Sequence, residues 1–77
     1  MKNILKLHEA IAVVLLGCKE RKATIEFIAK KINQRQLYIR KDGKPLPPYQ
    51  VMMRVNLSNG IYSNLFRFTK PDMVTLK

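Results

Sequence analysis

Three prolines within four residues, Pro45, Pro47 and Pro48, interrupt the chain at a single point. A proline inside a helix removes a hydrogen bond and clashes with the preceding turn, so no helix crosses this segment. Pro48 suits the first position of a helix, where the N–H that proline lacks has no intrahelical partner. The sequence therefore predicts that a helix begins at Pro48 and runs to about Leu57, where Ser-Asn-Gly follows.

This predicted helix has a polar outer face. Val51 and Val55 are four residues apart and face inward. The side chains that can meet a base edge or a phosphate lie opposite them or on the flanks, namely Tyr49, Gln50, Met53, Arg54 and Asn56. In the major groove, Arg pairs with guanine, and Gln or Asn pairs with adenine. The alternative is a solvated face, with Tyr49 and Met53 covering loop or core and Arg54 pairing with an acidic residue of the domain.

Two amphipathic segments precede the prolines. Apolar residues recur at helical spacing from Asn3, a suitable N-cap, to Leu16. Their stripe comprises Ile4, Leu7, Ile11, Val14 and Leu15. A second, shorter helix is predicted from about Ile25 to Gln34, with Thr24 as its N-cap.

The end of the chain has a different periodicity. Around Lys70-Pro71-Asp72, two short runs alternate apolar and polar residues, which predicts a β-hairpin over residues 65–76 with a three- to four-residue turn. An isolated hairpin is marginal in water, so its Phe66 and Phe68 face is expected to pack on the helices. Three helices followed by a C-terminal hairpin predict a mostly helical α+β fold of the winged helix-turn-helix type, as one domain over residues 1–77.

The charge of the chain points to a polyanionic partner. There are 15 Lys and Arg against 5 Asp and Glu, a formal charge of +10. A surplus of this size on a small surface favours nucleic acid. The candidate phosphate contacts lie on the loop before the third helix and on the hairpin: Lys41, Lys44, Arg67 and Lys70. The alternative for these cations is plain solvation at loop tips.

Other classes of protein are disfavoured by what the chain lacks. Cys18 is the single cysteine, so no internal disulfide forms, and a thiol in a reducing cytoplasm is the most economical account. No run approaches the ~18 apolar residues of a membrane span. His8 is the only histidine, so neither a metal site nor a Ser-His-Asp set is expected. We expect no enzyme, cofactor or small-molecule substrate.

The stretch LYIRKDGKPLPPYQVMMRVN, residues 37–56, is similar to the HARE-type helix-turn-helix domain, a winged-helix family. The family's pattern is an aromatic residue, a basic Asp-Gly-Lys-Pro loop, and a Gln ahead of a helix with hydrophobic-Arg-hydrophobic sequence. The matching positions are Tyr38, Asp42, Gly43, Lys44, Pro45, Gln50, Arg54 and Val55, with NLFRF (residues 64–68) resembling the start of the wing. The likeness covers roughly residues 5–76, and the double proline replaces the Thr or Ser cap that is more usual there. It implies DNA binding linked to transcription, chromatin or restriction and modification.

These observations predict binding to duplex DNA, sequence-specific or general, in transcription regulation or another DNA-associated process. Helix 48–57 is then the recognition helix and hairpin 65–76 the wing. Two alternatives stay open. One is a protein-interaction module that docks onto transcription machinery through Tyr49, Met53 and Tyr62, and the other is binding of structured RNA. A homodimer is a further option, since a single small domain usually binds DNA weakly alone.

Overall fold

Helices and short strands are interleaved along the chain in the computed structural model, which describes residues 3–56 and 65–77. The described elements, in order, are α1 (Leu7–Leu16), β1 (Lys22–Thr24), α2 (Ile25–Arg35), α3 (Pro48–Val55), β2 (Phe66–Thr69) and β3 (Met73–Leu76). A 3-10 turn at Lys19–Arg21 joins α1 to β1. The predicted α+β class is therefore confirmed in its coarse form, as a small domain of three helices with an antiparallel sheet.

The sheet is larger than the predicted hairpin. β2 and β3 pair as expected across a three-residue connection, Lys70–Asp72, which contains a cis Lys70–Pro71 bond. β1 pairs with the other side of β3, so the strand order is β1-β3-β2. The expectation that strands only follow the helices is thus wrong. β1 is three residues long and turns only Ala23 toward the core, so its alternation is too short to stand out in the sequence.

The core lies between the helices and the inner face of the sheet. α1 packs on α2, α3 and β3, and α3 packs on β2. The largest side chains with no exposure are Ile11, Leu15, Ile28, Ile32, Val51 and Val74. Phe66 is buried as well and Phe68 packs against the same cluster, which confirms that the aromatic face of the hairpin covers the helices.

The start of α1 differs from the prediction. The helix begins at Leu7 with Lys6 as its N-cap, where the Glu9 Oε1 accepts the Lys6 N–H at 2.7 Å. Ile4, predicted to belong to the buried stripe, is 96% exposed. Asn3 does not cap the helix, because its side chain is bound to a loop that is distant in sequence, at Ile39.

The other two helices begin where the sequence predicts. The Thr24 Oγ1 accepts the Phe27 N–H at 3.1 Å, and α2 ends at Arg35, one residue beyond the predicted end. α3 begins at Pro48 and buries Val51 and Val55 as expected. Its predicted end at residue 57 lies outside the described residues, as does the Tyr62 of the docking alternative.

Candidate nucleic-acid interface

One side of α3 presents three large side chains to solvent. Tyr49 and Met53 are 57% and 58% exposed, and Asn56, the C-cap residue, is exposed too. Their i, i+4, i+7 spacing puts them on one face of the helix, opposite the two buried valines. We call Tyr49, Met53 and Asn56 the α3 stripe. It offers a phenol, a thioether and an amide, and the helix carries no acidic residue.

Gln50 lies on one flank of this stripe, beside the loop that precedes the helix. It is half-buried and lines an open recess of about 310 Å³ with Tyr38, Arg40, Lys41 and Asp42. The structure therefore brings together two of the predicted residues, Gln50 and Lys41. An amide and an ammonium group beside one recess can bind a base edge and a neighbouring phosphate.

The tip of this loop is a hydrogen-bonded turn. The Gly43 N–H donates to the Arg40 carbonyl at 2.9 Å, and Gly43 has a φ of +76°, which glycine adopts without the strain other residues carry. Asp42 Oδ2 lies 3.0 Å from Arg40 Nη2, and Asp42 Oδ1 accepts the Lys44 N–H at 3.0 Å. The carboxylate is thus committed to Arg40 and to the backbone. The exposed ammonium groups of Lys41 and Lys44 form no ion pair with a described residue.

Two asparagine side chains fix the rest of the loop, and each binds both main-chain polar groups of one loop residue. The Asn33 Nδ2 donates to the Leu46 carbonyl at 3.0 Å, and its Oδ1 accepts the Leu46 N–H at 2.9 Å. Asn3 makes the equivalent pair of bonds with Ile39, both at 2.8 Å. An amide has one donor end and one acceptor end, so it can bind the N–H and C=O of one residue as a strand would. These clamps tie the loop to Asn3 and to α2 just ahead of the entry to α3.

Arg54 is directed away from the α3 stripe. It is half-buried and lines a separate recess of about 250 Å³ with Lys6, Leu7, His8 and Tyr38, at the start of α1. It forms no ion pair with any described acidic residue. The predicted set of five α3 residues is therefore divided, since three share the exposed face, Gln50 joins the loop and Arg54 faces α1.

The hairpin cations occupy a different part of the surface. Arg67 is exposed on the outer face of the sheet, opposite Thr75 of β3. Lys70 is exposed in the β2–β3 turn, and this turn is fixed to the start of α2 because the Ile25 N–H donates to the Asp72 carbonyl at 2.8 Å. The hairpin cations are thus fixed by main-chain bonds, not carried on a freely projecting loop.

The two cationic loops flank α2 and do not share one recess. Lys44 lines a recess with Asn33 and Gln36, at the end of α2, whereas Lys70 lies by the first residue of that helix. An eleven-residue helix is roughly 16 Å long at 1.5 Å per residue. The predicted phosphate contacts therefore span an extended surface.

The sequence reasoning missed Asn3, Asn33 and Arg40. Asn33 had a usable signal, because a short amide is a poor residue for a helix interior unless its side chain has a specific partner. Asn3 had none, since its partner is 36 positions away in sequence. The pairing of Arg40 with Asp42 follows only from the shape of the turn.

Two further observations concern residues 3–56 and 65–77, which the structure describes. There, no group of three or more His, Cys, Asp or Glu side chains is arranged to hold a metal ion. Within the same ranges, no helix is long and apolar enough to cross a membrane. Comparison of the chain with known protein families, curated proteins and solved structures finds no match.

Proposed function

We propose that this protein is a winged helix-turn-helix domain of the HARE type that binds duplex DNA, in transcription regulation or a related DNA-associated process. The α3 stripe enters the major groove and meets base edges. Gln50 contacts a base or a phosphate at the margin of the groove. Lys41 and Lys44 bind backbone phosphates on one side of α3, and Arg67 and Lys70 bind them on the hairpin side.

The observation that carries this proposal is the exposed, acid-free stripe on α3 beside a hydrogen-bonded turn, whose Lys41 and Lys44 form no ion pair with a described residue. Tyr49 and Met53 are one turn apart on the same helix face and each exposes more than half of its surface, and neighbouring exposed side chains of this kind occur at interaction sites. A loop meant only to connect two helices does not need two asparagine clamps. Both features are useful when a side chain must reach a base edge in a fixed register.

The topology supports the winged-helix assignment. Pairing of β1 with β3 returns the hairpin to the start of α2, and packing of α3 on β2 keeps that hairpin alongside the third helix. The hairpin is therefore next to the helix pair, as a wing must be to reach the backbone beside the groove.

The spread of the cations favours a polymer over a small anion. Lys44 and Lys70 lie at opposite ends of α2, a helix roughly 16 Å long. Duplex DNA carries one negative charge per about 1.7 Å of its axis, so one duplex can meet both ends at once. A phosphate ion or a nucleotide is too small to contact both ends of the helix at once.

An amide chemical-shift titration with a short random-sequence duplex tests the proposal. Shifts are expected at the α3 stripe, at Lys41–Lys44 and at Lys70. No shift at low salt, or shifts that leave α3 and its loop unchanged, would reject DNA binding by this surface. An RNA duplex at the same salt concentration is the matched control. Stronger binding to this RNA would favour binding of structured RNA as the function.

Binding of single-stranded RNA has weaker support. Its usual platform is an exposed aromatic surface on which bases stack. Here Phe66 is buried and Phe68 packs on the core, so the sheet offers neither ring to a base.

Docking onto a protein of the transcription machinery is the second candidate, and the exposed Tyr49 and Met53 favour it. Charge reversal at Lys41, Lys44 and Arg67, which are all exposed, separates the two functions. It should abolish DNA binding if the cations meet phosphates, and leave protein capture largely intact if the aromatic and thioether groups carry the contact.

A further inference from the structure

A groove lies on the part of the molecule formed by the end of α1, β1 and the first turn of α2. It has a volume of about 510 Å³, and its lining includes Cys18, Ala23, Phe27 and Met73. Phe27 is 41% exposed, a large fraction for an aromatic ring on a helix of so small a domain. No residue of the α3 stripe or of the α2–α3 loop lines this groove, so it is a second surface, separate from the proposed DNA contact.

The groove runs along the edge strand of the sheet. Among the described strands, β1 is paired only on its β3 side, because the strand order is β1-β3-β2. The Ile25 N–H is bonded to the β3 side, at Asp72, and antiparallel pairing alternates along a strand. The main-chain groups of Lys22 and Thr24 therefore point to the opposite side, toward the groove.

Two of these groups can bond to an added strand. The Lys22 N–H already donates to the Lys19 carbonyl, and this leaves the Lys22 carbonyl and the Thr24 N–H for a partner. These two groups flank Ala23. A parallel strand bonds to both groups through the one residue that faces Ala23, and an antiparallel strand bonds to both through the two residues on either side of the one that faces Ala23.

The charge around the groove indicates what such a partner carries. Its charged lining residues are both cationic, Lys19 and Lys22. Lys31 lies nearby, with its Nζ 5.5 Å from the centre of the Phe27 ring. Lys22 already forms an ion pair with Glu20, whose carboxylate is 3.2 Å from the Lys22 Nζ. Both side chains are exposed, so this ion pair is weak and an acidic partner can replace it.

We propose that this groove binds an extended acidic peptide of a partner protein, which pairs with β1 as an added strand. Apolar side chains at alternate positions enter the groove against Phe27 and Met73, and acidic side chains between them meet Lys19 and Lys22. The main-chain bonds at Lys22 and Thr24 supply affinity, and the groove and its rim supply selectivity.

The probe is a capped octapeptide in which Glu alternates with Val, titrated into the isotope-labelled full chain. Saturable amide shifts are expected at Lys22–Thr24 and Phe27. A control peptide with Lys in place of each Glu should bind about tenfold more weakly or worse, because like charges then meet at the rim. Equal binding of the two peptides, or shifts confined to α3, would overturn the proposal.

A matched pair of variants tests the main-chain contact itself. Thr24 has a φ of −74°, which proline adopts, so Thr24→Pro removes the N–H in the groove without changing the backbone. Thr24→Ala removes the same capping hydroxyl but keeps the N–H. Peptide binding should be lost in Thr24→Pro and kept in Thr24→Ala, and equal affinities would overturn strand pairing.

If Thr24→Pro does not fold, Phe27→Ala serves in its place. The missing ring should then weaken peptide binding about tenfold, and unchanged binding would overturn the proposal.

Two other occupants would give different results. If a second copy of the chain fills the groove, the same amides shift with protein concentration alone, and the peptide proposal is overturned. If duplex DNA displaces the peptide and shifts the same amides, the groove is part of the DNA surface, and the proposal is overturned as well. Simultaneous binding of peptide and duplex is the result expected of two separate surfaces, and peptide binding would persist even if the chain did not bind DNA.

Discussion

The side-chain amide of Asn33 binds both main-chain polar groups of Leu46, with the Nδ2 to carbonyl distance at 3.0 Å and the N–H to Oδ1 distance at 2.9 Å. Asn33 is near the end of α2, and Leu46 is buried just ahead of α3. This relationship joins the two helices that a helix-turn-helix domain must hold at a fixed angle. The turn that carries Lys41 and Lys44 precedes Leu46, so the bonds to Asn33 also fix the C-terminal end of this turn.

Removal of this clamp should destabilise the fold. Asn33→Ala leaves the Leu46 N–H and carbonyl without their partner, and we expect a loss of about 1–3 kcal/mol in the free energy of unfolding. Asn33→Asp keeps the acceptor but sets a carboxylate oxygen against the Leu46 carbonyl, so it should lose at least as much as Asn33→Ala. Urea denaturation measures both. Gln34→Ala, at the exposed neighbouring position, is the control and should stay within about 0.5 kcal/mol.

The position where α1 begins gives a second prediction. Ile11 has no exposed surface and Ile4 is 96% exposed, although both fit the same helical spacing in the sequence. We expect Ile11→Ala to lower the free energy of unfolding by about 2–5 kcal/mol through lost burial and a residual cavity. Ile4→Ala should change it by less than about 0.5 kcal/mol. Comparable losses in the two variants would mean that α1 begins earlier than Leu7.

The left-handed residue at the end of α2 gives a third prediction. Gln36 has a φ of 53° and a ψ of 40°, the left-handed conformation in which a side chain is unfavourable. Gln36→Gly should therefore raise the free energy of unfolding by about 0.5–1 kcal/mol. Arg35→Gly, one residue earlier and still helical, should lower it by about 1 kcal/mol. Thermal unfolding at matched protein concentration distinguishes the two, and a loss in both would contradict the left-handed helix end.

A fourth prediction separates specificity from affinity in the proposed DNA complex. Asn56→Ala removes an amide from the α3 stripe, and if this amide reads a base it should relax discrimination at one position of a selected site by about 1–3 kcal/mol. Lys44→Gln removes only a charge, and it should weaken all duplexes by the same factor. Binding to a library of duplexes measures both effects. Uniform weakening by Asn56→Ala would place that residue outside base recognition.

The parts of the fold that depend on local chemistry could be predicted from the sequence. Thr24 caps α2 because its hydroxyl reaches an N–H three residues on, and Pro48 begins α3 because its ring fits the first turn. Burial of Val51 and Val55 follows from helical spacing, and the hairpin from alternation around a short turn. Each of these signals lies within a few residues of its effect.

The parts that depend on distant contacts could not be predicted in this way. Asn3 looked like a cap because nothing near it reveals that its amide is bound to Ile39. The direction of Arg54, on the flank of α3, is set by how α3 packs on α1, so helical spacing alone does not show which recess it lines. β1 exists because β3 offers a free edge, and that partner is about fifty residues away in sequence.

The salt dependence of duplex binding tests the central claim most directly. The logarithm of the binding constant should fall linearly with the logarithm of salt concentration, with a slope of about −0.9 for each phosphate contacted. The double variant Lys41→Gln/Lys44→Gln should bind more weakly and have a slope smaller by about 0.9 per lysine. Lys19→Gln/Arg21→Gln, which removes the same charge from the turn between α1 and β1, should leave the slope unchanged. A natural chain whose binding ignores salt, or equal slope changes in the two double variants, would contradict DNA binding through α3 and its loop.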